Sequence, residues 1–153
     1  MKITDFLSKR LVIPVLTSTT KEAVLRELAE HLAAEHGEID GDRLVQVLWE
    51  REKLGSTAIG DGIAIPHGKL PGLTGVLGAF GRHPKGLDFQ SLDGAPTHLF
   101  FLLVAPEDSA GMHLKALARV SRLLKDPGFR KRLLYAESLD SLYNLIREED
   151  EKL

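Results

Sequence analysis

The segment REKLGSTAIGDGIAIPHGKL, Arg51 to Leu70, gathers the residues best suited to chemistry: four glycines, a Ser-Thr pair and a histidine set directly behind a proline. Pro66 fixes its own backbone and pushes Ile65 toward an extended conformation, so His67 is presented at a strand end with its imidazole aimed in a defined direction. The upstream glycines let backbone N–H groups approach an anion, and Ser56 and Thr57 add neutral hydroxyl donors. The stretch therefore reads as a phosphate cradle. It is not a Walker A loop, because Gly55 to Gly60 is followed by Asp61-Gly62 where Lys-Ser/Thr is required, which disfavours ATP hydrolysis. No GxSxG elbow makes Ser56 a hydrolase nucleophile. Read as pattern alone, tight turns serving a loop capped by His67 fit the same residues.

Two further polar residues lead toward this corner. On a helical wheel Arg51 shares the face of Leu44, Val47, Leu48 and Leu54, where a guanidinium needs an anion, a set of carbonyls or a route to water. His113 stands on the face of Ala116, Leu117, Val120 and Leu124 at the start of a later helix, a position that favours neutral imidazole and nearby phosphate. A satisfied core histidine fits His113 equally well. His31 and His36 fall at a helix end, His83 in a turn and His98 at the opening of a strand, and none is assigned chemistry. His67 and His113 could serve as metal ligands, but no HExxH or carboxylate cluster accompanies them, and no metal or other cofactor is expected. A pure binding module is the other alternative.

The elements that must position these residues follow from periodicity. Thr19 with Glu22 forms a capping box for a helix from about Thr20 to His36, carrying Val24, Leu25, Leu28 and Leu32 and stopped by Gly37. A second helix starts near Asp40 or Asp42 and ends at Gly55. Strands are expected at Ile63 to Ile65, Thr74 to Gly81 and Thr97 to Ala105, the last apolar on both faces and hence central. Helices follow from about Ser109 to Lys125, from Pro127, and from Ser138 into the charged tail. The 153 residues, with no repeat or linker, read as one α/β domain: a mixed sheet of about five strands flanked by helices on both faces. Such a chain buries roughly 70% of its unfolded surface. A formal charge of −2 argues against nucleic acid as partner, and no apolar run approaches the ~20 residues of a membrane span. The absence of cysteine excludes disulfides and thiolate chemistry, and the first residues lack a secretion signal, so a cytoplasmic protein is expected.

The chain closely resembles the enzyme IIA components of the bacterial phosphoenolpyruvate-dependent phosphotransferase system, in their fructose/mannitol/nitrogen-regulatory class. The likeness is carried by REKLGSTAIGDGIAIPHGKL and by HLKALARVSRLLKD, His113 to Asp126. The resemblance implies that His67 accepts a phosphoryl group, with Arg51 and His113 flanking it and Ser56 and Thr57 in the surrounding loop. It also implies a small histidine-containing phosphocarrier protein as donor, Nε2 as the attacking atom, and a IIB component or a regulated transporter or kinase downstream. The PHGKL ending looks more like the nitrogen-regulatory branch than the sugar-transport branch; a fructose or mannitol IIA component and a non-catalytic regulator are the alternatives.

Overall fold

The computed structural model describes residues 1–153. Two short 3-10 turns, Ile3–Asp5 and Lys9–Leu11, lead into β1 (Val12–Ile13), α1 (Lys21–Glu35) and α2 (Gly41–Lys53). Then come β2 (Ala58–Gly60), β3 (Ile63–Ala64), β4 (His67–Leu70), β5 (Leu77–Leu87) and β6 (Thr97–Pro106), followed by α3 (Ala110–Leu124), α4 (Pro127–Tyr135) and α5 (Leu139–Glu151). The six strands form one mixed sheet in the order β1-β5-β6-β3-β2, with β4 also paired to β6.

β6 is the hub. It runs antiparallel to β5 and parallel to both β3 and β4, so its backbone is bonded along both edges, and it is buried along almost its whole length. Alternation along β4 sends successive side chains to opposite faces. Gly68 turns toward α2, where a Cβ would come within 2.7 Å of Val47 Cγ1, whereas His67 turns toward α3. Helices therefore cover both faces, and 41 apolar residues form one continuous core between the layers.

The helix starts follow side-chain capping. Asp40 accepts from the backbone N–H groups of Asp42 and Arg43 to start α2, Asp126 from that of Gly128 to start α4, and Ser138 from that of Ser141 to start α5. At α1 the cap is Thr20, whose side chain accepts from Ala23 N, so the expected Thr19–Glu22 box lies one residue out of step. The apolar stripe of α2 also differs from expectation. Its buried face is Leu44, Val45, Leu48 and Glu52, while Leu54 caps the helix with 84% of its surface exposed. The stripe is rotated toward Val45, which leaves Arg51 half-buried on its shoulder and carries the neighbouring carboxylate inward. His83, expected in a turn, lies buried in β5, because this strand runs on to Leu87 through an irregular register after Arg82.

Candidate functional site

β3 and β4 are two pieces of one line of chain, both paired to β6, with Ile63 opposite Leu99 and His67 opposite Leu103. The break between them is Ile65-Pro66. Proline has no N–H for the ladder, and its carbonyl alone remains engaged, accepting from Leu103 N at 3.0 Å. Ile65 turns aside: its N–H donates to Thr57 O at 3.1 Å, and its carbonyl accepts from His67 Nδ1 at 2.8 Å. A carbonyl can only accept, so Nδ1 carries the ring proton and Nε2 keeps its lone pair. This is why the histidine stands behind a proline.

His113 occupies the first turn of α3, and its ring meets that of His67 edge to face, with centroids 5.3 Å apart and planes at 81°. The residue is 7% exposed and its buried Nδ1 has no partner. Burial is the main cause holding both imidazoles below the ordinary value. The Arg51 charge adds to this at His67 against the opposing pull of the Ile65 carbonyl and Glu52, and His67 and Lys69 add to it at His113. Both rings are thus biased to the neutral form. Arg51 donates from Nη1 to Gly55 O at 2.9 Å, which bends the guanidinium over the loop after α2. Leu54 and Leu114, each close in sequence to one of these groups, are strongly exposed.

The rest of the expected cradle is built differently. Ser56 Oγ donates to Phe89 O at 2.8 Å and accepts from Ala58 N, and Thr57 Oγ1 donates to Glu52 Oε2. Both hydroxyl protons are therefore taken up by the protein itself. Gly60, Asp61 and Gly62 all have positive φ and make the turn between β2 and β3. That turn sits at the Leu99 end of β6, four strand residues, or about 13 Å, from the level of His67. Its backbone already has an anion, since Asp61 N donates to the Asp93 carboxylate at 3.1 Å. Sequence reasoning also passed over Glu52, a buried carboxylate at the root of the loop. Its spacing of four from Leu48 was the available signal.

The fold and the chain as a whole fall in a known class, the components of a phosphotransferase system. The chain belongs to the family described as "Phosphoenolpyruvate-dependent sugar phosphotransferase system, EIIA 2", whose model matches residues 5–149. It is 44% identical over 147 residues to a nitrogen regulatory protein of Bradyrhizobium diazoefficiens, covering 95% of each chain. It is 40% identical over 150 residues to the fructose-specific EIIABC component of Bacillus subtilis, of which it spans 24%. Among solved structures, the nitrogen regulatory protein IIA-Ntr of Neisseria meningitidis superposes with a TM-score of 0.87 at 29% identity, covering 94% of this chain and 98% of that one. No helix is long and apolar enough to cross a membrane.

Proposed function

We propose that Nε2 of His67 accepts a phosphoryl group from the phosphohistidine of a small phosphocarrier protein and passes it on as a regulatory signal. The observation that carries this reading is the Nδ1 bond to Ile65 O, which leaves Nε2 unprotonated at a corner flanked by Arg51 and His113. The donor P–N bond breaks as the new Nε2–P bond forms, and the leaving imidazole keeps the electron pair. The proton on Nδ1 of His67 stays where it is, and its bond to Ile65 O strengthens as the ring gains positive character. Through a loose transition state the protein's work is alignment and charge compensation. Arg51 answers equatorial phosphoryl oxygens once it leaves Gly55 O, and His113 contributes one further hydrogen bond. The N-terminal amides of α3 favour the added negative charge.

The regulatory branch is favoured by the near full-length match to a nitrogen regulatory protein. The match to a fructose-specific protein favours a second reading, donation to a separate IIB component, which addition of such a component to the phosphorylated protein separates from the first. The primary test is incubation with phosphoenolpyruvate and the two upstream carriers. One phosphoryl group should appear, labile to acid and stable to alkali, with none in His67→Ala. Label that survives acid, or that persists in His67→Ala, overturns the assignment.

A further inference from the structure

Arg51 and Glu52 are adjacent in the last turn of α2, yet the glutamate side chain is only 2% exposed. A carboxylate in such a place is costly unless its oxygens are answered. Here Oε1 accepts from Thr57 N at 3.0 Å and lies 3.1 Å from Lys21 Nζ, while Oε2 accepts from Thr57 Oγ1. Lys21, the first residue of α1, is itself 10% exposed. Its ammonium also sits 4.6 Å above the Phe89 ring and 3.1 Å from Gln90 Oε1. A buried pair of this kind is often no more stabilising than apolar packing, so fold stability alone does not account for it.

What it holds is informative. Thr57, fixed at both its backbone N–H and its hydroxyl, turns its carbonyl to Ile65 N, and the Ile65 carbonyl takes the proton-bearing Nδ1 of His67. An unbroken series of bonds therefore runs from Lys21 through Glu52, Thr57 and Ile65 to His67. We propose that Glu52, held by Lys21 and acting through Thr57 and Ile65, is a positioning residue that sets the ring orientation and tautomer of His67. The role rests on His67 being the phosphoryl acceptor. Ser56 braces the same segment by bridging Phe89 O and Ala58 N, so the loop is held on both sides of Thr57.

The test compares Thr57→Val, Thr57→Ser and the double variant Lys21→Met/Glu52→Gln with the unaltered protein. Each is read by phosphoryl uptake rate, melting temperature, and the ¹⁵N ring shifts of His67 across pH in histidine-labelled protein. The other charged or titratable groups that act on this histidine pair, Arg51 on α2, His113 on α3 and Lys69 on β4, are left in place. Valine keeps the shape of threonine but cannot donate to the carboxylate. Thr57→Val should slow uptake roughly tenfold, short of the about 10²-fold that a 1 Å misplacement costs, and give a second His67 tautomer protonated on Nε2. Thr57→Ser should restore both, and the double variant should show the same mixed tautomer without leaving either buried charge alone. A single Nδ1–H tautomer and an unchanged rate per folded molecule in Thr57→Val and in the double variant, with only melting temperature lowered, overturns the proposal. If the unaltered protein takes no phosphate, His67 as acceptor falls, whereas the ring shifts still decide whether Glu52 sets the tautomer.

Discussion

The two ends of the short strand β3 do opposite things. At one end Gly60-Asp61-Gly62 turns the chain, and an anion is already in place: Asp93 accepts from Asp61 N, Ala95 N and Ser91 Oγ. At the other, Ile65-Pro66-His67 breaks a ladder and leaves polar capacity unspent, at Nε2 of His67 and at the orphaned Nδ1 of His113. Glycines with positive φ mark where the backbone must bend. The chemistry proposed for the protein falls instead at the end where a donor or acceptor is left without a partner.

The contrast is broken most sharply at Arg51. Arg51→Ala should slow phosphoryl uptake roughly 10² to 10³-fold, equivalent to about 2 to 4 kcal/mol of barrier, with little change in melting temperature. Arg51→Lys should restore only part of the rate, since an ammonium lacks the planar fork that reaches two oxygens together. A normal rate in Arg51→Ala would make the side chain a loop brace through Gly55 O and nothing more.

A smaller effect should come from pH. Both imidazoles have folded pKa values below the unfolded 6.5, so the unfolded chain takes up protons first as pH falls. Their contribution to stability is complete above pH 6.5 and is lost as pH falls through the folded values. Uptake should follow the same direction, because a proton on Nε2 occupies the attacking lone pair. Rate profiles and thermal melts between pH 7.5 and about 5 check both. A rate that rises on acidification would mean that the protonated ring is the working form.

The smallest effect is expected at the turn. Asp93→Ala should lower the melting temperature and leave uptake per folded molecule unchanged, whereas slowed uptake would bring the glycine turn back into the site.

Much of this was legible in the sequence, and the gaps have physical causes. Asp40, Pro127 and Ser138 announced their helices because capping and proline chemistry are local. His67, Arg51 and His113 could be singled out as polar residues in conspicuous places, and the structure brings the two histidine rings together with Arg51 close enough for its charge to act on His67. β1, β2 and β4 escaped because two to four residues show no readable period and pair only through long-range contacts. Ser56 and Thr57 looked like free donors because their acceptors, Phe89 O and the turned-in Glu52, are a matter of tertiary placement. His83 was hidden by Pro84 and Gly86, which read as a turn but ride in the irregular end of a long strand.

The place of β6 also sets when the site can come into being. Leu103 pairs with Gly78 of β5 on one side and with His67 of β4 on the other, and His113 follows later still in the chain. A ribosome therefore releases His67 well before the strand that aligns it and the ring that faces it. Until β6 is threaded between its neighbours, the imidazole is on an unpaired stretch with neither its register nor its companion, and non-local pairings of this kind are among the later events of folding. The alignment of His67 is in that sense acquired late by the nascent chain, only after β6 and the start of α3 have been made.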